Sequence, residues 1–223
     1  NWRKEYGGHF ATSIGAVYEV QSNGATSFVY NGDLNGDGNT GNDLIYIPKS
    51  STDINLIDAG SYNKATHTGT TTGTAADPRT AAQIWTQLSN FIQQDHYLYK
   101  HQGHYAESNS VVLPYYKHLD LNITEDIYFY TKDGSSKDKH TLRFSVDIQN
   151  VGNLLNRNWG VVRTTNINNF LRFEGMAADG TTPLFSFPYS DARNLVPLVN
   201  SFSPSTTIFS RWQMQFGVRY LFN

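Results

Sequence analysis

The stretch STTIFSRWQMQFGVRYLFN, residues 205–223, alternates along nearly its whole length. Its even positions run Ile208, Ser210, Trp212, Met214, Phe216, Val218, Tyr220 and Phe222, and its odd positions include Arg211, Gln213, Gln215, Gly217 and Arg219. Successive side chains of a strand point to opposite faces, so the pattern predicts one long strand, 205–223, with a greasy face and a polar face. Its aromatic residues gather near the ends of the apolar row, where a strand crossing a bilayer meets the two interfaces.

Other segments repeat the pattern. In HLDLNITEDIYFYT, Leu119, Leu121, Ile123, Ile127 and Phe129 share a face opposite His118, Asp120, Asn122, Thr124 and Asp126, and Glu125 interrupts the apolar set. In KHTLRFSVDIQN, Leu142, Phe144, Val146 and Ile148 oppose Thr141, Arg143, Ser145, Asp147 and Gln149. The short polar TKDGSSKDK between them makes the pair a hairpin. A weaker example, ATSIGAVYEVQ, aligns Ile14, Ala16, Tyr18 and Val20, and is followed by the turn SNG and a shorter strand around Phe28 to Tyr30.

Composition agrees with a β protein: fourteen Tyr, thirteen Phe, four Trp and eighteen Gly stand beside two Met in 223 residues. A formal charge of −2 without a basic run excludes an electrostatic nucleic-acid binder. The absence of cysteine excludes disulfide scaffolds, Cys-ligated zinc and thiol nucleophiles. No apolar run approaches the roughly 18 residues of a membrane helix, and NWRKEYGGHF lacks the greasy core of a signal peptide. A barrel strand crosses in about 9 to 11 residues with every second side chain in lipid, so low overall hydropathy is compatible with a membrane.

A soluble sandwich also alternates, but the connections here are unequal. Short turns are expected at 22–25 and 132–138, and long stretches at 31–114 and 152–204, the asymmetry of outer-membrane barrels with short periplasmic turns and long extracellular loops. Parity agrees: with 132–138 periplasmic, 139–150 rises, 152–204 lies outside, and the last strand descends to put Phe222 at the periplasmic rim. Within the first long loop, residues 77–101 predict a helix, with Pro78 at its first position and Ile84, Leu88, Phe91 and Ile92 on one stripe. In the second, FLRFEGMAADGTTPLFSFPY reads as an extracellular hairpin around its ADG turn.

Candidate chemistry is sparse. NGDLNGDGNTGNDLIYIP, residues 31–48, places Asp33, Asn35, Asp37 and Gly38 at the first positions of a calcium loop, yet Leu44 stands where the bidentate Glu belongs. Two readings stand: a structural calcium held by Asp33, Asn35, Asp37, Asn39 and Asp43, or an Asx- and Gly-rich turn cluster bonding its own backbone. The LIYIP that follows reads as a short strand ended by Pro48. His96, His101 and His104 lack a zinc-ligand spacing and read as surface or packing residues. His118, Asp120, Arg143 and Asp147 face the lumen by alternation, as substrate contacts or as structural hydrogen-bonded networks. Leu121, Ile123, Phe144, Val146, Trp212, Phe216, Tyr220 and Phe222 face lipid. No nucleophile elbow, phosphate loop or catalytic carboxylate pair is present, so an enzyme is not expected.

Taken in order, NGDLNGDGNTGNDLIYIP, QDHYLYKHQGHYAESNSVVLPYYKHLDLNI, HTLRFSVDIQNVGNLLNRNWG and RWQMQFGVRYLFN resemble the C-terminal end of TonB-dependent outer-membrane receptors, most of all the Oar-like members related to the SusC/RagA-like group common in Bacteroidetes. The resemblance implies an all-β chain: residues 1–223 as about five long strands of a 22-strand transmembrane antiparallel barrel, with long extracellular loops, one containing a helix. It implies a location in the bacterial outer membrane and TonB-dependent uptake of a large nutrient, an oligopeptide or a glycan. Its partners would be the rest of the same receptor (plug and N-terminal strands), TonB through that missing part, outer-membrane lipid and a surface lipoprotein. No cofactor is required. The family's usual terminal aromatic is here followed by Asn223. Rival readings are a soluble calcium-stabilised β-sandwich that binds carbohydrate, and a barrel serving protein secretion or assembly.

Overall fold

The structure, a computed structural model, describes residues 1–133 and 136–222. Strands dominate and helices are few, so the chain is all-β in class. It divides into two compact units, one of residues 1–23, 114–164 and 204–223 and the other of 24–113 and 165–203.

The first unit is a five-stranded sheet in which each strand lies beside its chain neighbour. The strands are β1 (Trp2–Tyr6), β2 (Phe10–Gln21), β3 (Tyr116–Asp133), β4 (Ser136–Gln149) and β5 (Gln213–Phe222), and every pairing is antiparallel. Among the described residues the sheet does not close, and β1 and β5 are its edges. Register carries the alternation across the strands. Trp2, Ile14, Ile123, Val146 and Phe216 stand in one row, and Tyr6, Phe10, Ile127, Leu142 and Tyr220 in another two rows away. One face of the sheet is therefore a broad apolar surface and the other is polar.

Between those two rows lies a third, Lys4, Thr12, Glu125, Phe144 and Val218. The break at Glu125 is thus shared by two neighbouring strands. Its carboxylate accepts hydrogen bonds from the Thr12 hydroxyl and the Tyr6 phenol, both at 2.5 Å.

The turn between β1 and β2 is short, and Gly7 and Gly8 carry it with φ of 62° and 69°, which a side chain would disfavour. The tip of TKDGSSKDK, Gly134 and Ser135, lies outside the described residues, as does Asn223. Both long connections leave the opposite end of the sheet, after Gln21 and after Gln149. This corrects the expected turn at 22–25. That segment does not return as a hairpin, because β2 finds its partner in β3, and the short turn sits at residues 7–9 instead. The last strand also starts later than 205: Ile208–Ser210 is a 3-10 turn, held because the buried Ser210 hydroxyl accepts the Val162 N–H at 3.1 Å, and pairing begins at Gln213.

In the second unit, parts of the two long connections share one core. Phe28, Ile45, Ile47, Ile84, Leu88, Phe91, Leu98, Phe170 and Phe187 are fully buried within it. Helices α1 (Ala81–Gln94) and α2 (His96–Lys100) replace the single predicted helix 77–101. The helix begins at Thr80 rather than beside Pro78, because Thr80 and Gln83 form a capping box, and Asp95 breaks it by capping α2 through the Tyr97 and Leu98 N–H groups. The expected stripe of Ile84, Leu88, Phe91 and Ile92 is wholly buried. Leu171–Met176 and Pro183–Ser186 form the predicted hairpin, flanked in parallel by Tyr30–Asn31 and Asn55–Leu56. Instead of a strand, LIYIP makes isolated bridges from Leu44 to Val29 and from Tyr46 to Tyr105.

Candidate functional site

The polar face of the sheet is where the sequence placed its binding candidates, and the structure organises it around Asp126. This carboxylate is 1% exposed. Arg143, directly across the β3–β4 pair, donates Nε to Oδ1 at 2.6 Å and Nη2 to Oδ2 at 2.9 Å, a bidentate fork. Arg3 adds Nη1 to Oδ2 at 3.3 Å and binds the Ser13 hydroxyl at 3.1 Å. The Tyr128 phenol accepts from Arg3 and reaches Asp126 at 3.4 Å. Two guanidinium groups thus share one buried carboxylate across four strands.

The remaining candidates are also engaged. Asn122 donates to Asp147 at 2.5 Å. His118 Nδ1 lies 3.3 Å from Asp120 Oδ1, and that oxygen accepts the Asn150 N–H at 2.8 Å. His118, Asp120, Arg143 and Asp147 therefore do share the polar face, but as members of side-chain networks that order the sheet. Asp126, Arg3 and Tyr128 are the residues missing from the candidate set. Asp126 was legible as a polar-face position, whereas Arg3 became visible only with β1, a strand too short to announce itself.

On the opposite face the candidate set is displayed as one surface. Phe216 and Phe222 are about three-quarters exposed, and Ile123, Phe144, Trp212 and Tyr220 are exposed as well, with Leu121 and Val146 half-buried between them. Toward the turn end, Phe129, His140 and Tyr220 stack in series, with Tyr220 also against Phe222. Tyr6 stacks on Phe10 at 5.7 Å.

The Asp33–Asp43 loop closes on its own backbone. Asp33 accepts from the Gly36, Asp37 and Gly38 N–H groups at 2.7 to 3.1 Å, Asp37 from Asn39, and Asp43 from Leu34 and Asn35. Hydrogen bonds from the backbone of Asn39 and the amide of Asn42 hold the Asp37 carboxyl below the usual range. Among the described residues no group of three or more acidic, His or Cys side chains is placed to hold a metal ion. His101 stacks on Tyr97, 4.1 Å between centroids, and bonds its carbonyl.

A second ion pair is buried in the other unit. Asp77 and Arg79 meet at 2.8 Å through Nε, Arg79 also donates to Gln87 and to the Phe187 carbonyl, and its guanidinium lies 3.8 Å from the Tyr189 ring centre. Burial pushes the Asp77 carboxyl up, but the Arg79 hydrogen bonds, the Ala59 N–H and the Arg79 charge outweigh it and hold the group below its ordinary value. These contacts tie residue 77 to residue 187 and make the pair a structural staple. Comparison of the chain with known protein families, with curated proteins and with solved structures finds no match.

Proposed function

We propose that the chain is the C-terminal barrel segment of a TonB-dependent transporter of the bacterial outer membrane, which takes up an oligopeptide or a glycan too large for porins. One observation carries the reading: five antiparallel strands keep an exposed apolar face in register from Trp2 to Phe216, opposite a face of hydrogen-bonded polar residues. Trp212 and Phe222 are ten residues apart, about 34 Å along a strand. At the usual tilt this is a height of about 25 Å, the apolar band of an outer-membrane barrel.

In lipid an open sheet edge would leave backbone groups unpaired at several kcal/mol each, so β1 and β5 would pair with other strands of the same receptor. The polar face would line the lumen, both long connections would lie outside the cell, and the short turns would face the periplasm. TonB would act through the plug of the complete receptor, and a surface lipoprotein would dock outside. Protein secretion through the same barrel is the alternative direction. A soluble calcium-stabilised sandwich fits less well, because Ile14, Ile123, Phe144 and Phe216 would need a second sheet over them and remain exposed.

The test is detergent dependence of the full-length protein. It is expected to be monodisperse only in detergent and to run faster on a denaturing gel unheated than boiled. A monodisperse monomer without detergent would overturn the reading.

A further inference from the structure

At the end of the first unit where the long connections leave, segments 114–119 and 152–163 enclose a cavity of about 530 Å³ on the apolar side of the sheet. Tyr18 and Leu119, opposite each other in the β2–β3 register, line it together with Leu155 and Trp159. Its two cations are Lys117 and Arg163, and no acidic residue lines it. Both cations are exposed, and among the described residues neither side chain has an ion-pair partner.

The outer wall of this cleft is fixed. Asn150 donates its amide to the Gly160 carbonyl at 2.7 Å, Asn153 donates to the Arg157 and Trp159 carbonyls at 3.0 Å, and the Trp159 N–H bonds Asn156 at 2.8 Å. Leu155 and Trp159 are thereby held in the open, 74% and 57% exposed. A turn locked by four hydrogen bonds that presents a Leu and a Trp outward is preorganised for an apolar ligand.

We infer that this cleft is a binding site for a lipid with a net-anionic, phosphate-bearing headgroup, its acyl chain lying against Leu119 and Leu155 and its phosphate between Lys117 and Arg163. The inference rests on the membrane reading. Leu119 is ten residues from Phe129 along β3, about 34 Å, so with Phe129 at the periplasmic interface the cleft falls at the opposite one. Tyr and Trp are favoured at that depth. A guanidinium and an ammonium with no carboxylate beside them complement a phosphate, and Arg163 can meet it with two parallel N–H bonds.

The experiment is native mass spectrometry of the full-length protein in detergent, titrated separately with phosphatidylglycerol, with phosphatidylcholine and with inorganic phosphate. Wild type should retain phosphatidylglycerol well above phosphatidylcholine. K117Q/R163Q should lose about 30-fold in that affinity, roughly fivefold per cation. W159A should weaken both lipids alike, which separates apolar packing from charge. Unchanged affinity in K117Q/R163Q, no preference between the two lipids, or full displacement of lipid by inorganic phosphate would each overturn the site while leaving the barrel reading intact. A protein that is monodisperse without detergent would overturn the membrane reading and the site with it.

Discussion

Arg143 grips Asp126 with both arms of its guanidinium, 2.6 and 2.9 Å across adjacent strands, and Asp126 is the buried acid of the polar face. Asp126→Asn would leave Arg143 and Arg3 sharing a neutral amide. The expected loss is about 2 kcal/mol, below the usual cost of breaking a buried pair because the Arg143 and Arg3 side chains are 35% and 42% exposed. Urea unfolding of the detergent-solubilised protein reads it as a shift in midpoint. Arg143→Lys should cost nearly as much, since an ammonium cannot replace the fork. A midpoint unchanged in both variants would mean that the pair is ornamental.

Gly160 supplies a second stability test. Its φ is +59°, and a Cβ there would overlap the Asn150 side chain. Asn150 itself adopts a left-handed conformation, φ 53°, and its amide holds the Gly160 carbonyl. Gly160→Ala combines backbone strain with the loss of that link, about 2 to 3 kcal/mol. Gly8→Ala, at φ +69° with open space around it, should cost only about 1 kcal/mol. Thermal denaturation of the two variants side by side separates the contributions, and equal losses would refute the role given to the Asn150 contact.

The Asp77–Arg79 staple predicts a pH response of the second unit. The folded carboxyl lies below its ordinary value, so its contribution to stability is complete above about pH 4 and is lost as pH falls through the lowered folded value. Hydrogen exchange at Ala59 and Arg79, whose N–H groups Asp77 accepts, should therefore be flat from neutral pH to about pH 5 and accelerate below pH 4, after correction for intrinsic rates. Asp77→Asn should remove this acid-dependent component and leave both amides faster at neutral pH. An unaltered acid profile in that variant would assign the transition to another group.

How far the sequence foretold this structure differs from strand to strand. Residues 118–131 and 139–150 were legible because a two-residue period sustained over that length is the signature of a strand with two unlike faces, and the register then brings Ile123 beside Val146 without further assumption. β1 was not legible: WRKEY offers only Trp2 and Tyr6 on its apolar face with Lys4 between. Lys4, Thr12 and Glu125 each look like noise within a single strand, and only pairing shows that they form one row. The turn at 22–25 was misplaced for the same reason, since SNG is a local signal while the partner of β2 lies some hundred residues away along the chain. The shared core of the long connections, with Phe28 against Phe170, was likewise invisible to any local pattern. On the polar face, the sequence placed Arg143 and Asp147 correctly but could not say that Asp126 and Asn122 already occupy them.

The Asp33 loop gives the last prediction. Three backbone N–H groups converge on one carboxylate, from Gly36, Asp37 and Gly38, but the Asp37 N–H is shared with Asn35 Oδ1 at 2.9 Å, so Asp33→Ala should release the Gly36 and Gly38 amides together and leave Asp37 held by Asn35. Exchange of the two released amides should rise roughly five- to tenfold. Asp43→Ala should instead free only the Leu34 and Asn35 amides. Because backbone N–H groups already occupy the Asp33 and Asp43 carboxylates, adding a calcium chelator to wild type should leave all five amides unchanged. A slowing of exchange on adding calcium, abolished in both variants, is the result that would put a metal at Asp33, Asn35, Asp37, Asn39 and Asp43 and make the turn cluster its scaffold.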